Sequence, residues 1–257
     1  MTSMNKEQNN IDLNCDMGEG LDTDKEIMPF ISSANIACGY HAGDEATINR
    51  TIEYCLQYDV AIGAHPGFAD KANFGRTEVR LDEEELYNLV TVQVKLLKAI
   101  AEEKGGHLHH VKSHGALYNM AATDEMYARV LVQAVKDIDP SLLFYGLSNS
   151  AMIKAAEAAG LQAAAEVFAD RTYQDNGQLT PRSQQGALIT NTEASVNQVL
   201  QLIREGTVTT LSGTVIPLLA DTVCLHGDGA HAAVFAELIS QQLKAHGIEV
   251  SKIRRLK

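Results

Sequence analysis

Short apolar runs recur along the chain, and the stretches between them carry a helical period. Candidate strands are Ile11–Asn14, Ala34–Cys38, Val60–Ala64, Leu108–Lys112, Leu142–Gly146, Ala164–Ala169 and Thr222–Leu225, with weaker candidates at Ala187–Ile189 and Val208–Thr210. Asp44 is placed to cap a helix in which Ile48, Ile52, Cys55 and Leu56 share a face. Asp82 and Glu85 have capping-box spacing ahead of a stripe of Leu86, Leu89, Val90, Leu97 and Ile100, and Gly105-Gly106 stops that helix. Asp228 is placed to open a last helix containing Val234 and Leu238, with Gly247 as its stop. A repeated strand-then-helix rhythm predicts a mainly parallel sheet covered by helices. Seven or so strands suit a closed or nearly closed (β/α) barrel, with a doubly wound open sheet as the alternative. No linker interrupts the pattern, so a single domain over residues 1–257 is expected, with 1–10 as a flexible tail.

Composition narrows the partners. The 257 residues are 45% hydrophobic and 21% charged, which suits a chain with a substantial core. The net charge of −12 disfavours nucleic acid and anionic membranes as partners, and the absence of Trp leaves few platforms for base stacking. No apolar run approaches the roughly 20 residues of a membrane span, and the polar Met1–Asn10 does not read as a signal peptide. The four cysteines, Cys15, Cys38, Cys55 and Cys224, show no C-x-x-C spacing and read as buried free thiols. A cytoplasmic, disulfide-free protein is expected.

Reactive side chains fall where the strands end. The first strand leads into Asn14-Cys15-Asp16 with Glu19 beyond, the second into Gly39-Tyr40-His41-Ala42-Gly43-Asp44, and the third into His65-Pro66-Gly67. Later strands lead into Lys112-Ser113-His114-Gly115, into Glu166 and Asp170-Arg171, and into His226-Gly227-Asp228. In parallel α/β folds these ends share one rim, where ligands bind. Simpler roles exist for each group. Asp44 and Asp228 suit helix N-caps, and a single rim histidine can be a hydrogen-bonded turn residue. Asp12, inside a strand, either points into a barrel or pairs with a buried base such as Lys112. His107, His109 and His110 read as an exposed start to a strand, and His231 and His246 as helix-surface residues.

Phosphate-loop, dinucleotide-binding, nucleophile-elbow and H-E-x-x-H motifs are absent. Metal binding stays open, because Asp and His at strand ends can assemble an N/O site without local spacing.

Longer motifs carry a resemblance. Asp12-Leu13-Asn14-Cys15-Asp16-Met17-Gly18-Glu19, Ala34–Asp44, Ile62–Gly67, His114–Asn119, Glu166–Arg171 and His226-Gly227-Asp228 are similar to the LamB/YcsF family, in order along nearly the whole chain. The resemblance implies a seven-stranded barrel of the glycoside hydrolase/deacetylase type. It also implies the A component of a bacterial 5-oxoprolinase, which opens 5-oxo-L-proline to L-glutamate with ATP consumed by a complex that includes subunits B and C. Two positions depart from the family pattern. Ser113 replaces a proline before His114, and Thr77 replaces a second arginine after Arg76.

On this reading the partners phosphorylate the lactam and this chain directs water at the activated carbon. Asp12 or His41 is the candidate base, and Lys112 and His114 stabilise developing negative charge. Arg76, Arg171 or Arg182 would grip the substrate carboxylate. Asn14, Asp16, Glu19, Asp44, His65, Glu166, His226 and Asp228 complete the expected substrate site. Two rival readings are a metal-dependent amide hydrolase or deacetylase on the same barrel, and a non-catalytic binding component.

Overall fold

The computed structural model describes residues 10–21, 23–225 and 232–256. Ten strands occur among them: β1 (Asn10–Met17), β2 (Ser33–Ala37), β3 (Ala61–His65), β4 (Leu108–Lys112), β5 (Leu143–Leu147), β6 (Ala163–Phe168), β7 (Thr207–Thr209), β8 (Val215–Pro217), β9 (Thr222–Leu225) and β10 (Glu249–Val250). The helices are α1 (Asp24–Ile27), α2 (Glu45–Tyr58), α3 (Glu83–Glu103), α4 (Gly115–Thr123), α5 (Glu125–Ile138), α6 (Ala151–Ala159), α7 (Thr192–Glu205) and α8 (Ala232–Ala245).

The parallel order β1-β2-β3-β4-β5-β6-β9 closes through pairing of β9 with β1, giving a seven-stranded barrel. All seven stronger strand candidates lie in it. The weaker pair does not. Val208 belongs to an antiparallel hairpin of β7 and β8 outside the barrel, and around Leu188 only an isolated bridge to Arg171 forms. The strand β10, which the sequence pattern does not reveal, pairs with the first two residues of β1, upstream of the stretch that pairs with β9.

Alternation along β1 shows how the barrel divides its residues. Ile11, Leu13, Cys15 and Met17 join the apolar core, while Asp12, Asn14 and Asp16 take the opposite face and bond residues of other barrel strands. The large apolar core is therefore the layer between strands and helices. Leu86, Val90, Val94, Leu97 and Ala101 supply it from α3, which starts with the expected Asp82–Glu85 capping box. On α2, Ile48, Ile52 and Cys55 are buried, but Leu56 lies one step off that face and is exposed. Val234 and Leu238 of α8 are also exposed, and Ala236, Ile239 and Leu243 make the contact instead. The four cysteines are free and buried. No helix among the described residues is long and apolar enough to cross a membrane.

The lumen is polar and closely paired. Asp12 accepts hydrogen bonds from Ser32 and Ser33 at Oδ1 (2.6 Å each) and from Thr222 (2.6 Å) and Tyr145 (3.0 Å) at Oδ2. Asn14 Nδ2 donates to Thr222 Oγ1 at 2.7 Å. His110 overturns its expected exposure: it is fully buried, stacks on Tyr145 and meets Asn35 Oδ1 at 2.8 Å. Gly63 makes room for it, because a Cβ there would sit 2.0 Å from His110 Nε2. His109 is half-buried and its Nε2 donates to the Ile253 carbonyl at 2.9 Å, while His107 is exposed as expected. Leu143, Tyr145 and Ala164 form a separate small cluster against Ile253.

Two outcomes follow from this packing. Gly63→Ala should lower stability by about 1–3 kcal/mol through overpacking against His110, read as a lower urea midpoint. Burial pushes His109 down to about 4, so the unfolded chain binds a proton at this position that the folded chain refuses between roughly pH 6.5 and 4. Stability at this position is full above the unfolded value and falls as the pH drops through that window. His109→Gln should make the loss of stability on acidification shallower by up to about 1.4 kcal/mol per pH unit; parallel slopes for the two chains would exclude this origin.

Candidate active site at the C-terminal rim

Asp16 lies near the end of β1, His65 ends β3 and Lys112 ends β4, so one rim collects them without any long-range accident of loop structure. Together with Glu19, His114, Arg76, Arg171, Arg182, Tyr118 and Phe168 they line a cavity of about 700 Å³.

Lys112 is the centre of the buried part. Its Nζ lies 2.9 Å from Asp16 Oδ1, 2.8 Å from Glu166 Oε1, 3.1 Å from Asn14 Oδ1 and 3.1 Å from Cys224 Sγ. Burial works against the charge of Lys112, but the Asp16 and Glu166 carboxylates outweigh it and hold the group well above its ordinary value. Burial raises the Cys224 thiol well above its usual range, so it faces the ammonium as a neutral group. Asn35 Nδ2 donates to Asn14 Oδ1 (2.7 Å) and Asp16 Oδ1 (2.8 Å), which fixes the carboxylate from the other side.

Beside Lys112 lies a histidine cluster. His65 Nδ1 is 2.7 Å from the Lys112 carbonyl, and His114 Nε2 is 2.9 Å from the Phe74 carbonyl. The remaining nitrogens, His65 Nε2 and His114 Nδ1, face each other at 2.9 Å. His41 stacks on His114 with centroids 3.9 Å apart and planes 5° apart. Glu19 Oε1 lies 3.6 Å from His114 Nδ1 and 3.9 Å from His41 Nε2. Burial pushes His41 down to about 2, with His114 and His65 adding to the shift; burial pushes His114 down to about 3, with His65 again contributing. Both imidazoles are therefore neutral bases with available lone pairs.

Glycines make this density possible. A Cβ at Gly75 would sit 2.8 Å from His41 Cβ, and one at Gly67 would sit 2.8 Å from His41 Nδ1. The His114 N–H donates to the Pro66 carbonyl at 2.8 Å, so this turn is tied to its neighbour although Ser113 stands in place of proline.

Several expected site residues sit elsewhere. Asp12, expected with His41 as a candidate base, is not on the cavity wall; it lies buried in the lumen, enclosed by four hydroxyls that donate to it. It also makes no bond to Lys112 among those that hold the lysine. Asp44 caps α2, accepting from the Thr47 N–H at 2.8 Å, and is likewise off the wall. Asn14, His41 and Glu166 are fully buried and are not among the residues of the wall. Arg171 is on the wall, but it also holds the following loop through the Thr180 carbonyl (2.6 Å) and the Ala187 carbonyl (3.4 Å). Burial, then the neighbouring Arg182, lowers its ordinary value. Arg76 and Arg182 are exposed on the rim. His226 and Asp228 lie outside the described residues. Asn35, Cys224 and Tyr118 join the site without having been expected there; the first two are polar or thiol positions on inward faces of strands, a signal that alternation carries.

A closed seven-stranded parallel barrel with a polar cavity at its C-terminal rim has the fold of the glycoside hydrolase/deacetylase type. The LamB/YcsF family model matches residues 11–257, and the chain belongs to that family. It is 52% identical over 247 residues to the 5-oxoprolinase A-chain component of Shouchella clausii, covering 94% of this chain and 98% of that one. The crystal structure of a lactam utilization protein from Thermus thermophilus superposes with a TM-score of 0.90 at 39% identity, covering 95% of this chain and 100% of that one. The catalytic domain of a peptidoglycan N-acetylglucosamine deacetylase from Eubacterium rectale, at 11% identity and a TM-score of 0.52, shares the fold over 99% of this chain and 92% of that one.

Lys112→Met should lower stability by about 3–5 kcal/mol, because Asp16 and Glu166 would remain buried without their cation. Adding Glu166→Gln should restore part of the loss. Additive effects in urea unfolding would show that the pair is not coupled.

Proposed function

We propose that this chain is the A component of a 5-oxoprolinase, binding 5-oxo-L-proline and opening its lactam to L-glutamate with ATP consumed by a complex with subunits B and C. The cavity beside Lys112 is the observation that carries the chemistry: fixed positive charge, a carboxylate and exposed arginines meet in a volume suited to a small anionic ring. The strong similarity to chains named as the A component of 5-oxoprolinase supports the substrate.

A lactam resists water because its nitrogen lone pair is delocalised into the carbonyl. Transfer of the γ-phosphoryl group of ATP to the lactam oxygen, assigned to the partner subunits, removes that stabilisation and releases ADP. Water then adds to the ring carbon and the C–N bond breaks, the nitrogen leaving as an amine after taking a proton. The resulting acyl phosphate reacts with a second water to give glutamate and phosphate. Asp16, held at Oδ1 by Lys112 and Asn35, orients the first water and accepts its proton. Lys112 stabilises the negative charge that develops on the reacting oxygens. Arg182, with Arg76 on the same cavity wall, binds the substrate carboxylate.

Glutamate release from 5-oxo-L-proline should require ATP and all three components. Arg182→Ala in the assembled complex should raise KM about 10–100-fold with kcat nearly kept, as expected for the loss of a charged hydrogen bond worth about 1.5–3 kcal/mol. No glutamate from the complete complex, or ATP-independent amide hydrolysis by this chain alone, would overturn the reading in favour of a simple amidase.

A further inference from the structure

We propose that Glu19, His41, His65 and His114 form a binding site for one divalent transition-metal ion, with zinc the best match to the donor set. The positions of the ring protons point there first. His65 Nδ1 and His114 Nε2 each face a backbone carbonyl, at 2.7 and 2.9 Å, and a carbonyl only accepts. Both protons are thereby assigned to the outer nitrogens. The inner nitrogens then present two lone pairs to each other at 2.9 Å, a contact that needs an electrophile between or beside them. Metal-ligating histidines show this arrangement, donating the second ring N–H to a carbonyl so that the lone pair is aimed inward.

Two further observations point to the same place. His41 is fully buried and neither of its ring nitrogens has a hydrogen-bond partner among the described residues, an expensive state for a polar side chain in the interior. Ligand atoms of all four residues lie within 4.8 Å of one another, and Glu19 adds a carboxylate to the three imidazoles. An N₃O set of this kind suits zinc, cobalt or nickel rather than magnesium or calcium. His41 lies flat against His114, so its nitrogens cannot address the same point until its ring turns. Glu19, His65 and His114 are the primary ligands and His41 the weaker fourth. The primary three also line the cavity, so a bound ion would keep one face towards the ligand space.

The competing electrophile is a proton shared between the two facing rings, beside Glu19 and Asp16, whose Oδ2 is 3.3 Å from His65 Nε2. The test uses the full chain, stripped with chelator and titrated calorimetrically with zinc, then followed by visible absorbance with cobalt. One ion per chain is expected, with cobalt bands of low coordination number. His65→Ala and His114→Ala should each weaken zinc by more than about 100-fold, beyond the 10–100-fold typical of outer-shell partners, and His41→Ala by about 10-fold. His246→Ala, at the exposed end of α8, should leave binding unchanged. Nitrogen-15 shifts of the histidine rings in the wild-type chain give a readout that needs no variant to fold. Millimolar or weaker zinc binding, unchanged binding in both ring deletions, or ring shifts of a metal-indifferent imidazolium would overturn the site. Neither readout involves turnover, so metal binding without lactam opening would remove only the 5-oxoprolinase reading, and the converse would remove only this one.

Discussion

An ammonium group buried at the end of a β-barrel strand constrains most of what surrounds it. Removing a charge from water costs several kcal/mol, and only fixed counter-charges and hydrogen bonds make such a position tolerable. For Lys112 these come from β1, β6 and β9 as well as from β2 acting through Asn35. Barrel closure and site formation are therefore one event: the strands that must pair to close the sheet are those that deliver the partners of the lysine. The apolar layer outside the strands supplies the bulk of the burial, and the polar lumen selects which register of each strand is acceptable, since a one-residue slip of β1 would put Leu13 and Cys15, or Cys15 and Met17, against the lysine network.

Much of this was legible in the residues. The barrel strands stand out because each is a short apolar run ahead of a glycine or a reactive side chain, and α3 because its capping box precedes a clean stripe. Convergence of His65, Lys112 and His114 follows from the rule that parallel strands end at a common rim. What alternation cannot convey is depth. It puts Asp12 and Asp16 on one face of β1 but does not say that only Asp16 reaches the cavity. His110 was illegible for another reason. Its space is provided by the missing side chain of Gly63 on the neighbouring strand, a complementarity that exists only once β3 and β4 are in register. Asp44 satisfied both a capping pattern and a site pattern, and local hydrogen bonding decided between them.

The histidine cluster adds a different kind of order. Backbone carbonyls from β4 and from the loop at Phe74 determine which nitrogen of each ring holds hydrogen, so chain geometry dictates acid–base state. Gly67 and Gly75, lacking side chains, let the loops that carry them lie directly against His41 and His114. Chemistry in the cavity is thus prepared by atoms that take no part in it.

The seam between β1 and β10 has a consequence for how the protein is made. Asn10 and Ile11 pair with Glu249 and Val250, and Arg254 and Leu256 reach back to Gln162. On the ribosome, β2 to β6 can associate as they emerge, but the opening stretch of β1 waits for a complement made only after all seven barrel strands. Until translation passes that point, the nascent sheet keeps an unsatisfied edge, the kind of surface that chaperones bind.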